Sequence, residues 1–493
     1  MAGGMRKLAK DTAVYGLSSI IGRFLNWLLV PMYTRVLADT GEFGIYTNLY
    51  AWAALLLVIL TYGMETGFFR FINKKEEQKP MRVYATALVC IGTTSLLFLL
   101  PAGCFLGPLS RLLNYADHPE YLAMMLGVVA IDAFCCIPLA YLRYKERPFR
   151  FMGVKLFGIF LNIVLNIFFL LICPQMHQDA PERISWFYLS EYGVGYVFIA
   201  NVITSVVTLL ILIPDMLPAF GYKPNLALLK QMLRYSFPIL ILGIAGILNQ
   251  TADKILFPYL FADTSYAQAQ LGIYGACFKI AVVMVMFIQA FRYAYEPFVF
   301  ARNKSDTHHT KIYSEVMKYF IIFALFIFLG VMFFLDILKY FVAPVYYPGL
   351  PVVPVVMLGE LFFGIYFNLS IWYKLSDQTR WGAYFSIAGC VVTVGIIVGF
   401  APVYGFMACA WASLICNILM MLLSYYVGQK KFPVSYDLKS AFIYFALAII
   451  LYCAGMLPVI ETGILRFAYR TVLLIVFLIV VVKRDFPSGN RKL

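Results

Sequence analysis

The sequence predicts an all-α polytopic membrane protein of about fourteen transmembrane helices. Hydrophobic residues make up 62% of the chain and charged residues 13%, where a soluble domain carries about 25% charged residues. The mean hydropathy is +0.82. Apolar windows of about 20 residues, the length that crosses a bilayer as a helix, recur along all 493 residues.

In order, the windows fall at 12–34, 44–69, 83–106, 120–142, 151–173, 186–213, 235–260, 270–295, 313–335, 352–373, 382–400, 404–427, 438–457 and 463–482. No short apolar region with an A-x-A-like site marks a cleavable signal, so the first window is expected to remain as a span. Lys74, Lys75 and Lys79 separate the second from the third. Arg143, Lys145, Arg147 and Arg150 lie at the junction of the fourth and fifth, and Lys430, Lys431 and Lys439 at that of the twelfth and thirteenth. Pro344, Pro348, Pro351 and Pro354 break up the approach to the tenth.

Charge sets the expected orientation. Of the 39 Lys and Arg, nine (Arg23, Arg35, Arg111, Arg183, Lys254, Lys279, Lys339, Arg466 and Arg470) lie outside the N-terminus, the even-numbered loops and the C-terminus. Those segments hold the rest, which puts both termini in the cytoplasm by the positive-inside rule. The net charge of +14 then reflects topology and contact with anionic lipid. Basic residues scattered over eight short segments do not form a nucleic-acid surface. There is no G-x-x-x-x-G-K-[ST] loop for a nucleotide. The ten Cys contain no C-x-x-C pair and fall almost all inside spans, as small apolar packing residues. Cys104 and Cys173, near outer span ends, are the one pair placed to bridge. His118, His177, His308 and His309 lack ligand spacing, so neither a metal nor another cofactor is expected. No G-x-S-x-G, loop-borne carboxylate pair or large outer domain suggests an enzyme.

One motif occurs twice. Ala38-Asp39-Thr40 runs into Gly44-Ile45-Tyr46, and Ala262-Asp263-Thr264 runs into Gly272-Ile273-Tyr274. The copies join spans one to two and seven to eight. An even offset of six spans means a parallel repeat about an axis along the membrane normal. Three segments follow: an N-terminal lobe 1–220 (helices 1–6), a C-terminal lobe 221–430 (helices 7–12), and 431–493 with helices 13–14 and a cytoplasmic tail. Asp39 or Thr40, and Asp263 or Thr264, suit helix N-caps, and Gly44 and Gly272 suit close packing. The motif therefore reports architecture.

Charges inside spans are the sharper functional signal, because each costs about 2.5–3.5 kcal/mol at the bilayer centre on insertion scales. Arg23 lies midway along span one, and Ser19, Arg23 and Asn26 share one helical face. That polar stripe suits a wet cavity; a structural salt bridge is the plainer role. Asp132 sits midway along span four, where it can neutralise Arg23 or bind a proton or sodium ion. Glu360 on span ten is a second carboxylate of that kind. On span seven lie Asn249, Gln250 and Asp253, and on span eight Lys279. Asp253 and Lys279 both fall in the outer half, where they can pair. Glu65, Arg70, Lys374 and Arg380 reach the inner interface and act as orientation charges. Trp27, Trp52, Tyr274 and Tyr293 can stack on sugars, a weak signal at 17% aromatics.

Several of these residues also carry a resemblance. Gly16-Leu17-Ser18-Ser19 with Arg23, Pro31-Met32-Tyr33-Thr34-Arg35-Val36-Leu37, Phe43-Gly44-Ile45-Tyr46 and Gly63-Met64-Glu65 leading to Arg70 resemble the opening of the bacterial polysaccharide transporters. These are the O-antigen (Wzx-type) flippases of the multidrug/oligosaccharidyl-lipid/polysaccharide (MOP) superfamily. Asp253-Lys254-Ile255-Leu256, then Gly272-Ile273-Tyr274 and Lys279, resembles their seventh and eighth helices. The resemblance implies the MOP flippase fold: two six-helix lobes plus two C-terminal helices in the bacterial inner membrane. It implies a lipid-linked oligosaccharide on undecaprenyl diphosphate as cargo, membrane lipids as surroundings, and a glycan polymerase and glycosyltransferases as partners. A bare glycan diphosphate cannot cross hydrocarbon, since each unsatisfied polar group costs several kcal/mol. A cavity arginine such as Arg23 suits the diphosphate, with Ser19, Asn26, Asn249 and Lys279 as further substrate contacts. Asp132, Glu360 and Asp253 are the expected ion-coupling carboxylates. A lipid II flippase of the same superfamily is the nearest alternative. A drug/cation antiporter needs only twelve spans, and a deep arginine repels cations; a membrane-embedded glycan polymerase needs catalytic groups.

Overall fold

The computed structural model describes residues 20–73, 80–302, 309–376, 378–457 and 463–485. Among these residues helices are the only regular secondary structure, and thirteen helical segments are long and apolar enough to cross a membrane. They correspond to the second to fourteenth apolar windows. The first window is described from residue 20: residues 20–27 are helical, and after a turn at 28–29 helix α1 runs Val30–Val36. There follow α2 Thr40–Thr61, α3 Met64–Ile72, α4 Pro80–Cys104, α5 Pro119–Tyr144, α6 Pro148–Ile167, α7 Gly195–Phe220, α8 Leu226–Leu256 and α9 Thr264–Arg302. The later long helices are α10 His309–Phe333, α11 Val352–Leu369, α12 Arg380–Tyr404, α13 Phe406–Lys431, α14 Leu438–Met456 and α15 Gly463–Asp485.

Local chemistry explains where helix ends depart from the apolar windows. Helix α7 starts nine residues later than its window because Ser190–Tyr192 forms a 3-10 turn and Gly193 takes φ +44°. Helix α8 starts at Leu226, well before its window, because the Asn225 side chain accepts the Ala227 and Leu228 amides. Hydropathy alone misses that first stretch because Lys230 and Arg234 dilute it. The prolines before α11 do not break it. Pro351 is its cap and Pro354 lies in the first turn, where a missing N–H leaves no helical bond unmade. All ten cysteines are free, Cys104 and Cys173 included.

The chain packs as two compact units, Met1–Gly275 with Val394–Phe406, and Ala276–Thr393 with Met407–Leu493. In the first unit the two copies of the repeated motif meet. Asp39 accepts the Glu42 amide at 2.9 Å, and Asp263 accepts the Ser265 and Tyr266 amides at 2.9 and 3.1 Å. Both aspartates are therefore helix N-caps. Donation by the Tyr266 amide and then the Ser265 hydroxyl holds the Asp263 carboxyl below the usual carboxylate range. The helices behind these caps then cross with their backbones in contact. A Cβ on Gly44 would fall 1.9 Å from the Gln268 carbonyl oxygen, and one on Gly272 would fall 1.8 Å from that of Thr40. Small residues let membrane helices approach this closely. Asn48 fastens the crossing, donating to the Lys254 carbonyl at 2.7 Å and accepting from the Tyr115 hydroxyl at 2.8 Å.

Elsewhere in this unit Tyr84 and Tyr141 stack at 4.2 Å, and the Tyr84 hydroxyl donates to the Asp215 carbonyl. Buried Asp215 is held by Arg150 through Nε at 2.9 Å and Nη2 at 2.7 Å, and Arg143 pairs with Glu65.

In the second unit the C-terminal helix is locked at its basic end. Lys318 Nζ lies 2.6 Å from Asp485, which also accepts the Tyr444 hydroxyl, and Arg484 donates to Ser440 at 2.9 Å. Asp437 caps α14 by accepting the Ser440 amide at 3.0 Å. Bonds from the Ser440 hydroxyl and then its amide hold that carboxyl below its ordinary range. A folded-state value depressed in this way stabilises the fold above the ordinary carboxylate range, and that stability is lost as pH falls through the depressed value. Asp437→Ala is expected to cost about 0.5–1 kcal/mol near neutral pH, the low end for a cap because the group is exposed. Asp437→Asn should keep most of the cap and lose its pH dependence. Thermal unfolding of the purified protein between about pH 3 and pH 7, roughly the span over which an aspartate titrates, checks both.

Candidate functional site

A polar, charge-bearing stripe runs through the apolar helices of the first unit. Five helices supply it, three of them through residues about one turn apart. Helix α2 presents Tyr46 and Tyr50, whose rings lie 4.5 Å apart, and α1 adds Tyr33 at 5.4 Å from Tyr46. Helix α7 presents Asn201 and Ser205, and α6 presents Lys155, Gly158, Asn162 and Asn166, which share a face at helical spacing. Helix α5 contributes Asp132.

These groups are linked. Asn201 Nδ2 donates to the Tyr50 hydroxyl at 2.6 Å, and Asn162 Nδ2 donates to Asn201 Oδ1 at 3.2 Å. Asn166 Nδ2 donates in turn to Asn162 Oδ1 at 3.1 Å. One turn along α7, the buried Ser205 hydroxyl donates to Asp132 Oδ1 at 2.9 Å. Asp132 Oδ2 has no hydrogen-bond donor among the described residues, and the side chain stays exposed. Lys155, also exposed, is near enough for its charge to act on Asp132. Gly158 lets α6 and α7 approach: a Cβ there would meet the Thr208 hydroxyl at 3.2 Å. The stripe thus offers one cation, one carboxylate with an open oxygen, and amides and hydroxyls that both donate and accept.

The expected site residues distribute unevenly around it. Arg23 is exposed on the 20–27 helix, and its neighbour Gly22 lies against α6, where a Cβ would fall 2.5 Å from Ile159 Cδ1. That contact brings the arginine's helix to the element carrying Lys155 and Asn162. Asp132 lies thirteen residues after Pro119 on one unbroken helix, so it is about 20 Å along it. Asn26 is exposed on the same helix, while Ser19 lies outside the described residues. Asp253 sits elsewhere, near the glycine crossing. It is 6% exposed and its Oδ2 is taken by the Tyr274 hydroxyl at 2.6 Å and Lys254 Nζ at 2.7 Å. Asn249 is half-buried on α8 and has partners. Lys279 and Glu360 belong to the second unit, both half-buried and both engaged.

Tyr50, Lys155, Asn162, Asn201 and Ser205 were not singled out by sequence reasoning. Lys155 reads as one more orientation charge near the inner end of its span. The available signal was polar side chains at four-residue spacing, Asn162 with Asn166 and Asn201 with Ser205, inside otherwise apolar windows. Among the described residues no group of three His, Cys, Asp or Glu is arranged to hold a metal ion.

A family model described as polysaccharide biosynthesis protein matches residues 8–300. Among solved structures, the lipid II flippase MurJ in an inward closed conformation superposes with a TM-score of 0.72 at 12% identity, covering 96% of this chain and 98% of that one. An inward-facing multidrug resistance MATE family transporter of the MOP superfamily gives 0.65 at 14% identity, covering 82% and 93%. The MATE multidrug transporter DinF-BH in complex with R6G gives 0.60 at 14% identity, covering 88% and 96%. No curated protein sequence matches. At these identities the superpositions establish a shared fold.

Proposed function

The chain belongs to the polysaccharide biosynthesis protein family, and from that premise we propose that it is a flippase that moves a lipid-linked oligosaccharide across the bacterial inner membrane. The cargo would be a glycan on undecaprenyl diphosphate, carried by ion-coupled alternating access for surface polysaccharide biosynthesis. Both termini would face the cytoplasm, and segments 1–220 and 221–430 would be the two lobes, with 431–493 appended.

The observation that carries the proposal is the stripe of Asp132, Lys155, Tyr50, Asn162, Asn201 and Ser205 inside an apolar bundle. Such a stripe is costly in a membrane unless a polar cargo or water faces it. Amides and hydroxyls match sugar hydroxyls. Lys155 and Arg23 match the diphosphate, one as a point charge and the other as a planar fork. The open Asp132 oxygen suits a coupling proton or sodium ion, with Glu360 and Asp253 as further carboxylates for that task. Two cations in the neighbourhood disfavour a cationic drug as cargo.

Purified protein in proteoliposomes should transfer a lipid-linked oligosaccharide head group between leaflets, read by its loss to an added glycosidase. Absence of transfer by the native chain with lipid-linked glycans would overturn the reading. The second reading, lipid II as cargo, shares the diphosphate and is favoured by the end-to-end superposition on a lipid II flippase. The same assay with lipid II decides between them.

A further inference from the structure

In the second unit the ends of α10, α11 and α14 and the first turns of α15 line a partly open cavity of about 250 Å³ that the proposed transport cycle does not use. Met332 and the following turn bound it at the end of α10, Pro351 and Pro354 at the start of α11, Tyr452 and Met456 at the end of α14, and Arg470 on α15. These ends belong to the loops between spans nine and ten and between thirteen and fourteen, so they lie opposite the Lys318–Asp485 lock. The volume is below the roughly 300–1,000 Å³ of pockets for drug-sized ligands. It is too small for an oligosaccharide.

Its charge is unbalanced. Arg470, with its side chain 9% exposed, donates from Nη1 to Asp336 Oδ2 at 2.8 Å. Arg466 Nε approaches that same oxygen at 3.3 Å and makes no hydrogen bond among the described residues. Among the described residues two guanidiniums therefore share one carboxylate oxygen, a surplus of one positive charge. The rest of Arg470 is only partly used. Nε donates to the Gly455 carbonyl and Nη1 also to that of Phe333, but among the described residues Nη2 reaches only the Met456 sulfur, at 3.5 Å. A thioether is a weak acceptor, and a buried guanidinium with unmet donors is costly.

We propose that this cavity binds the phosphate of an anionic lipid headgroup. Arg470 Nη2 and Arg466 would donate to the phosphate oxygens, since guanidinium binds phosphate through paired N–H groups. Asp336 also lines the cavity and anchors the arginines, which would be shared between its carboxylate and the phosphate. The apolar lining of Met332, Leu350, Tyr452 and Met456 receives the first carbons beyond the phosphate. The rim supports a lipid source, because Leu457 and Ile464, where α14 ends and α15 begins, are 78% and 83% exposed. The site is separate from the polar stripe and stands whichever glycan, if any, is carried.

The test is the thermal stability of the full chain in detergent with added lipid. Phosphatidylglycerol should raise the melting temperature of the native protein, and phosphatidylcholine should not. In Arg466→Gln the half-maximal phosphatidylglycerol concentration should rise about tenfold, the loss of one charge-assisted hydrogen bond. Leu350→Trp, which fills the cavity, should keep the lipid-free melting temperature and lose the response. Asp132→Asn should leave the response intact. Equal responses in the native and both variant proteins, or an equal effect of phosphatidylcholine, would overturn the site. Equal stabilisation by inorganic phosphate alone would support phosphate recognition and overturn a lipid as its source.

Discussion

Asp132→Asn is expected to cut gradient-driven glycan export by at least about tenfold, equivalent to about 1.4 kcal/mol, with membrane insertion unchanged. Asparagine keeps the shape of the side chain and an oxygen for the Ser205 hydroxyl, which donates to Asp132 Oδ1 at 2.9 Å. What it removes is the charge and the oxygen free to take a proton or ion. Export should therefore lose its dependence on the ion gradient, whereas Arg23→Ala or Lys155→Ala should weaken cargo binding and leave the residual export gradient-dependent. Surface glycan in cells and head-group transfer in proteoliposomes, each with and without an imposed gradient, separate the two outcomes. Unchanged gradient dependence in Asp132→Asn would remove the carboxylate from the coupling role.

Gly44→Leu and Gly272→Leu should each destabilise the first unit strongly. Even alanine puts its Cβ inside the contact distance of a backbone carbonyl, 1.9 Å at Gly44 and 1.8 Å at Gly272. A backbone atom cannot swing aside as a side chain can, so the helices must separate. Overpacking of this kind typically costs about 1–3 kcal/mol for added methylenes, and leucine belongs at or above the upper end. Separation would also strain the bonds from Asn48 to the Lys254 carbonyl and from Tyr115 to Asn48. Gly103→Ala is the control. A Cβ there meets nothing within 4 Å, so its effect should stay within about 0.5 kcal/mol. Thermal unfolding of the three variants beside the parent reads the difference. A Gly44→Leu protein as stable as Gly103→Ala would mean that the crossing does not hold the unit together.

The asparagines of the stripe show why so much of the site escaped the sequence. Asn162 and Asn201 are 39 positions apart, on different spans, and only packing brings their amides to 3.2 Å. Lys155 was visible but misfiled, because a lysine near a span end satisfies the positive-inside rule without further explanation. Asp132 was legible for the opposite reason. A carboxylate in the middle of an apolar window is costly wherever the helix points, so the sequence alone marks it. Asp253 carried the same mark, yet a tyrosine hydroxyl and the adjacent lysine occupy one of its oxygens, a detail that spacing does not disclose.

Hydrophobicity is a local property summed over about 20 residues, so the sequence by itself determined the helical membrane class, the windows and the repeat. Capping is local too, which is why Asp39 and Asp263 could be read as helix starts from their neighbours. Contacts between helices depend on which faces meet, and a 3.6-residue period does not say which. Only the tertiary structure decided that the two copies of the motif touch at Gly44 and Gly272, that Ser205 holds Asp132, and that two arginines on the last helix share one aspartate.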